Sequence, residues 1–318
     1  MIEKHIVLDD IDPVVFYGVG NVHLQMIKSL FPKVRIVARD NVIKVLGDEE
    51  QIAKLEGDVE NLRKHISKFN IINEEDILDI VNGRQTKTDA GKGVLVYSVS
   101  GKPIKSRSRN QDILVDAFNK NDMVFAVGPA GTGKTYLSIA LAVKALKSKE
   151  VKKIILSRPA VEAGEKLGFL PGDMKEKIDP YLQPLYDSLE DMIPAVKLQE
   201  MVDKHIIQIA PLAFMRGRTL NDAIIILDEA QNTSTAQIRM FLTRLGMNSR
   251  MIITGDLTQI DLPHNQKSGL KEAIEILSRT EGISVIELNQ KDIVRHKLVT
   301  KIVTAYDTYD KIKNKTTP

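Results

Sequence analysis

The sequence predicts an α/β fold: a core built on a parallel sheet, preceded by a smaller α/β domain. Three observations predict it. Short apolar runs, among them Met123 to Val127 and Ala223 to Leu227, read as buried strands that stop at glycine or acid. A glycine-rich turn follows the first run, and then a helix on which Leu137, Leu141, Val143 and Ala145 are spaced for packing. Upstream, strand-like and helix-like stretches alternate, as they do in an α/β unit.

In chain order, "VVFYGVGNVHLQMIKSLFPKVRIVARDNVIKVLGDEEQIAKLEGDVENLRKHI" reads as a strand, a glycine turn and a helix from about Val22. Strands near Val34 to Ala38 and Val42 to Leu46 come next, and then a helix from about Glu49. This unit occupies residues 1–83. From Arg84 to Arg109 the composition changes to seven Lys or Arg against one Asp, with several Gly and Ser. Residues 84–105 therefore read as a basic linker containing a short hairpin, either a solvated connector or a strip that contacts phosphates.

The turn after Met123 to Val127 is "GPAGTGKT", Gly128-Pro129-Ala130-Gly131-Thr132-Gly133-Lys134-Thr135. Its glycines let backbone N–H groups wrap a phosphate at a helix N-terminus. Lys134 then reaches the β and γ phosphates, and the Thr135 hydroxyl binds Mg²⁺. Two adjacent carboxylates at the tip of a buried strand, Asp228 and Glu229, are costly without a cation in front of them. The same cation accounts for them: Asp228 holds the Mg²⁺ water shell opposite Thr135, and Glu229 polarises the attacking water. An acid directly after the metal-binding Asp favours hydrolysis over transfer to a bound acceptor.

A further strand, "RMIITGDLTQIDLP", brings Gly255, Asp256 and Gln259 directly after an apolar run. Gln259 is a candidate γ-phosphate sensor or a plain polar turn residue. Gln111 precedes the glycine turn where an amide can read the adenine edge; the alternative is a helix residue facing water. The run Asn289-Gln290-Lys291-Asp292 nearly matches the N-K-x-D signature of guanine recognition, but its lysine is one place late, which favours ATP over GTP.

The chain has 318 residues, 43% of them apolar and 27% charged, so it reads as a soluble globular protein with room for two domains. Its apolar runs fall short of the roughly 20 residues of a membrane span. The N-terminus "MIEKHIVLDDIDP" carries acids where a signal peptide carries an apolar stretch, and a cytoplasmic protein is expected. Without cysteine there is no disulfide, thiolate zinc site or thiol nucleophile. A net charge of +3 is too small to identify a nucleic-acid binder.

Taken together, "GPAGTGKT", "SRPAVEAGEKLGFLPGD", "FMRGRTLNDAIIILDEAQN", "TGDLTQIDLP" and "DIVRH" resemble the PhoH-like ATPase family over residues 106–306, leaving 307–318 as a polar tail. The resemblance implies one RecA-like P-loop core related to the first motor domain of superfamily 1 helicases, with ATP and Mg²⁺ as cofactors and a link to RNA metabolism. In such helicases a Gln in the place of Gln259 senses the γ-phosphate, and one in the place of Gln111 reads adenine. The N-terminal unit resembles a KH-like RNA-binding domain, whose glycine loop opens a helix and clamps a nucleic-acid backbone. The family loop is G-x-x-G, whereas "GVGN" ends in Asn21, so RNA contact stands beside a docking or oligomerisation role. With this unit and no added nuclease domain, the chain resembles the short bacterial subgroup linked to ribosomal RNA maturation and to an endoribonuclease partner of the YbeY type.

Arg158, after the strand "KKIILS", is placed to touch a phosphate or a nucleic-acid strand, or to pair with Glu162 or Glu165. Arg216 and Arg218 allow the same two readings and also an ATP-interface role. Beyond the N-terminal unit there is chain for one RecA-like core and no second, so something else must close the ATP cleft. Arg295 in "NQKDIVRHKLV" is a candidate arginine supplied across a subunit interface, which makes the active form a homo-oligomer, in one form a ring. An internal pair with Asp292 is the alternative. Function then divides between an RNA-associated ATPase and a nucleotide-controlled assembly switch; a small-molecule kinase is disfavoured by the Asp-Glu pair.

Overall fold

The computed structural model describes residues 2–84, 93–159, 174–263, 266–294, 298, 299 and 302. Seven elements form the N-terminal unit: β1 (Ile2–Val7), α1 (Pro13–Tyr17), α2 (Val22–Leu30), β2 (Arg35–Arg39), β3 (Val42–Gly47), α3 (Glu49–Phe69) and α4 (Glu74–Val81). The three strands pair antiparallel in the order β1-β3-β2. β2 and β3 are joined across Asp40 and Asn41, with Asp40 in the left-handed region that short acidic residues tolerate. On α3 the buried residues Ile52, Leu55, Val59, Leu62, Ile66 and Phe69 recur at helical spacing, and all but Phe69 join one core with Phe16, Ile27, Ile36, Ile43 and Val45.

One expected element is different. The strand read over "VVFY" is the helix α1, because the Asp12 carboxylate caps it by accepting from Val14 N and Pro13 supplies a preset first helical residue. These local contacts outweigh the strand preference of Val14 and Val15. The glycine turn therefore lies between two helices. Gly18, Gly20 and Asn21 all have positive φ, and Asn21, the residue that departs from G-x-x-G, stands at +63° just before α2. Asparagine is the non-glycine residue best suited to that conformation.

The second unit begins with the hairpin β4 (Val94–Tyr97) and β5 (Pro103–Lys105). It continues through α5 (Arg109–Lys120), β6 (Met123–Val127), α6 (Lys134–Lys147), β7 (Lys153–Arg158), α7 (Met174–Glu190), α8 (Ala195–Asp203) and β8 (Ile207–Pro211). After these come β9 (Ala223–Leu227), α9 (Thr235–Leu242), β10 (Arg250–Gly255), α10 (Gly269–Leu277) and β11 (Ile283–Glu287). Six strands pair in parallel in the order β11-β6-β10-β9-β7-β8.

Every residue of β6 and β9 is buried, the mark of strands covered on both faces. One face, with Val124, Ile154, Ile224 and Ile252, packs with Leu114 of α5, Leu137 and Leu141 of α6 and Leu185 of α7. The other, with Phe125, Ile225, Leu227 and Ile253, packs with Ile238 and Phe241 of α9 and Leu270 of α10. Leu95, Val96 and Ile104 of the hairpin belong to the first of these layers.

Asn70, the left-handed residue that ends α3, joins the two units. Its amide donates to Tyr97 O at 2.6 Å and Met192 O at 3.2 Å, and its Oδ1 accepts from Lys147 Nζ at 2.9 Å. Lys147 ends the helix that starts at the glycine-rich turn, so α6 runs from that turn to the N-terminal unit.

Candidate functional site

Because β10 lies between β6 and β9, the carboxyl ends of three neighbouring strands converge, which is where open α/β sheets bind ligands. β6 leads into the turn 128–133 and then α6, whose N-cap is Gly133 at φ +78°. Gly128 has φ +150°, and a side chain there would place Cβ 2.3 Å from Leu288 O, so only glycine fits. Lys134 is 9% exposed, and its ammonium donates back to Gly128 O at 2.6 Å and Pro129 O at 2.9 Å across the mouth of the turn.

Asp228, 3% exposed at the end of β9, accepts at Oδ1 from two hydroxyls, Thr135 Oγ1 and Thr254 Oγ1, each at 2.6 Å. The expected juxtaposition of Thr135 with Asp228 is therefore present. Hard oxygen donors meeting at a phosphate-binding turn fit Mg²⁺, which takes one or two carboxylates plus substrate phosphates rather than a full protein cage. The described residues contain no group of three or more His, Asp or Glu side chains that could hold a metal ion.

Glu229 has φ +53°, unusual for a residue with a side chain. One of its carboxylate oxygens accepts from Gln231 Nε2 at 2.5 Å, and the other lies 3.7 Å from the Arg158 guanidinium. Arg158 also donates to Tyr181 O at 3.2 Å. Among the described residues its ion-pair partner is Glu229; Glu162 and Glu165, the alternative partners read from sequence, lie outside the described residues.

Gln111 is 4% exposed, so it does not face water. Its Nε2 donates to Thr132 O at 2.9 Å and its Oε1 accepts from Arg107 N at 2.7 Å, which braces the turn from α5. Gln259 is exposed in the turn after β10, with its N–H on Asp256 O at 3.1 Å. Arg218 is committed to Gln208 Oε1 at 2.6 Å, while Arg216 is exposed.

Arg295 lies outside the described residues. Val294 before it donates to Gly131 O of the same chain at 3.0 Å. Asp292, the alternative partner proposed for Arg295, is 3% exposed and accepts from Asn289 N at 2.7 Å and Asn110 Nδ2 at 2.8 Å. Burial pushes its carboxyl up, but hydrogen bonds from Asn289, Ser108 and Asn110 outweigh this and hold it below the usual carboxylate range.

Three contributors carried no assigned role in the sequence: Thr254, Gln231 and the Asp256 carboxylate, which accepts from Ala130 N at 3.0 Å. Thr254 had a usable signal. A hydroxyl inside the apolar run "RMIITG" needs a partner once the strand is buried.

Comparison with known proteins agrees with this arrangement. The family model described as PhoH-like protein matches residues 103–307. A PhoH-like protein of Bacillus subtilis is 51% identical over 277 residues, covering 86% of this chain and 87% of that one. One of Synechocystis is 45% identical over 278 residues, covering 86% and 85%. One of Mycobacterium tuberculosis is 56% identical over 215 residues, which is 68% of this chain and 61% of the longer relative. With the strand, phosphate-binding turn and acidic strand end all inside the matched region, the chain belongs to the PhoH-like protein family.

Proposed function

We propose that the protein is a Mg²⁺-dependent ATPase acting in RNA metabolism. The observation that carries the reading is the meeting of Thr135 and Asp228 at 2.6 Å, with Glu229 next in the chain. The turn 128–135 cradles phosphates through backbone N–H groups, and Lys134 exchanges its carbonyl partners for phosphate oxygens. Mg²⁺ bound there would supply positive charge against the negative charge that develops on the phosphates. Thr135 and Asp228 would hold the metal, Asp228 through its water shell, and Glu229 orients the attacking water and takes its proton. Gln259 is assigned to the γ-phosphate and Gln111 to the base as well as to Thr132.

Lys134→Ala is expected to lose nucleotide binding or turnover, whereas Glu229→Gln keeps ATP and hydrolyses it far more slowly. The split follows because Lys134 contacts ground-state phosphates and Glu229 acts on charge that develops in the transition state. Wild-type turnover by Glu229→Gln refutes the assignment.

The RNA part of the proposal is supported by the helix-loop-helix of the N-terminal unit, whose Gly18 to Asn21 loop opens α2 as the clamp of a KH-like module does. The basic run from Arg84 to Arg109 supplies phosphate-seeking charge. The activity proposed is RNA remodelling, or loading of a YbeY-type endoribonuclease, in the cytoplasm and as a homo-oligomer. A nucleotide-controlled assembly switch is the second reading, favoured by α6, which joins the ATP site to Asn70 of the N-terminal unit. ATPase rate with and without single-stranded RNA separates them: stimulation supports the first, and no response together with no RNA binding supports the second.

A further inference from the structure

Gln231 sits in the 3₁₀ turn Ala230–Asn232 after β9, is 1% exposed, and uses both ends of its amide. Nε2 donates to Glu229 Oε2 at 2.5 Å, and Oε1 accepts from Asp256 N at 3.0 Å. These partners fix the amide orientation, since only the nitrogen can face a carboxylate and only the oxygen an N–H. On its far side the end of β10 holds the phosphate-binding turn: Gly255 O accepts from Gly128 N at 3.1 Å, and Asp256 Oδ2 accepts from Ala130 N at 3.0 Å. The packing here is close. A Cβ on Gly255 would lie 2.4 Å from Leu270 Cδ2 and 3.0 Å from Gln231 Oε1.

We propose that Gln231 is the positioning residue for Glu229, and that through the end of β10 it registers the water-activating carboxylate to the phosphate-binding turn. The inference rests on the assignment of Glu229 given above. Glu229 needs such a restraint because its backbone occupies the left-handed region and its other restraint, Arg158, stands at 3.7 Å and is shared with Tyr181 O. The Gln231 contact is the shorter and the more deeply buried of the two. Asp256 completes the connection, so a shift of the turn at Ala130 is transmitted to Glu229 through two side chains.

Two substitutions separate the halves of the connection. Gln231→Glu keeps an oxygen for Asp256 N but replaces the donor to Glu229 with an acceptor; Gln231→Leu removes both bonds. Affinity for a non-hydrolysed ATP analogue is expected to stay within about threefold of wild type in each, while kcat falls roughly 10- to 100-fold, the weight of one charge-assisted hydrogen bond. Because Gln231 acts through Glu229, Gln231→Leu added to Glu229→Gln is expected to leave the slow rate of Glu229→Gln unchanged. A kcat within about twofold of wild type for Gln231→Glu overturns the proposal, as does a double variant that loses analogue binding or slows further. Should Gln231→Leu fail to fold, Gln231→Glu carries the test, since it keeps the Asp256 contact. Full activity in Glu229→Gln condemns the parent assignment instead, so the two failures are distinguishable.

Discussion

Thr254 gives the sharpest test of how the acidic strand end is held. Replacing it with valine keeps the branched shape and removes the hydroxyl, so Asp228 Oδ1 loses one of its two donors at 2.6 Å. A hydrogen bond to a charged group contributes about 1.5–3 kcal/mol. Thr254 is fully buried and Asp228 is 3% exposed, so little water can replace the hydroxyl, and the upper part of that range applies, about 2–3 kcal/mol. The loss is felt in two states. In the nucleotide-free protein it lowers stability, because the carboxylate stays buried with one donor fewer; with nucleotide present it weakens the fixed oxygen offered to Mg²⁺. We expect Thr254→Val to lose about 2–3 kcal/mol in urea unfolding of the nucleotide-free protein and to need about tenfold more Mg²⁺ for half-maximal ATPase. Thr254→Ser, which keeps the hydroxyl, stays near wild type in the Mg²⁺ titration. A valine variant with unchanged stability and Mg²⁺ requirement refutes the bond. A serine variant as impaired as valine shows that the methyl group, and not the hydroxyl, was responsible.

Asn70→Gly removes the amide bonds between the units but accepts φ +61° freely, so a loss of about 2 kcal/mol in urea is expected; Asn70→Ala, strained there, loses about 1 kcal/mol more. Equal losses in the two variants contradict the left-handed strain. Retention of single-stranded RNA on filters is expected to fall with salt along a log–log slope of about −2 or steeper, and deleting residues 1–83 is expected to lower RNA affinity more than ATPase rate. No retention at low salt removes the RNA reading. Mixing Lys134→Ala with Arg295→Ala under subunit exchange is expected to restore part of the ATPase activity if Arg295 completes a neighbour's site, a contribution of roughly 10³–10⁵ in rate. Val294 contacts its own chain's Gly131, so the competing outcome is no restoration, with Arg295→Ala slow by itself.

The parts of the site that were legible in sequence are those made by consecutive residues. Gly128 to Thr135 must wrap a phosphate with adjacent N–H groups, so the chemistry fixes residue type at each position in one short run. The meeting of Asp228 with Thr135 was legible because charge at the end of an apolar run calls for a partner in front of it. The helix α1 could have been read as well. Asp12-Pro13 is a helix start by capping and by the fixed φ of proline, against the strand preference of the β-branched pair Val14 and Val15.

The connections between segments could not be read in the same way, because they depend on strand order. Nothing local to "RMIITGD" places it between β6 and β9; that follows from how the crossover helices cover both faces of the sheet. Once β10 takes that place, Thr254 is delivered to Asp228, and Asp256 meets Ala130 on one side and Gln231 on the other. Moving β10 to the sheet edge would separate Thr254 from Asp228 and leave Gln231 Oε1 without the Asp256 N–H, a cost of roughly 1–3 kcal/mol for each buried group left unpaired. These polar residues therefore specify the strand order that they later exploit. They make the order β6-β10-β9 more stable than its alternatives, and that order is what brings the phosphate-binding turn, Asp228 and Glu229 to one edge of the sheet.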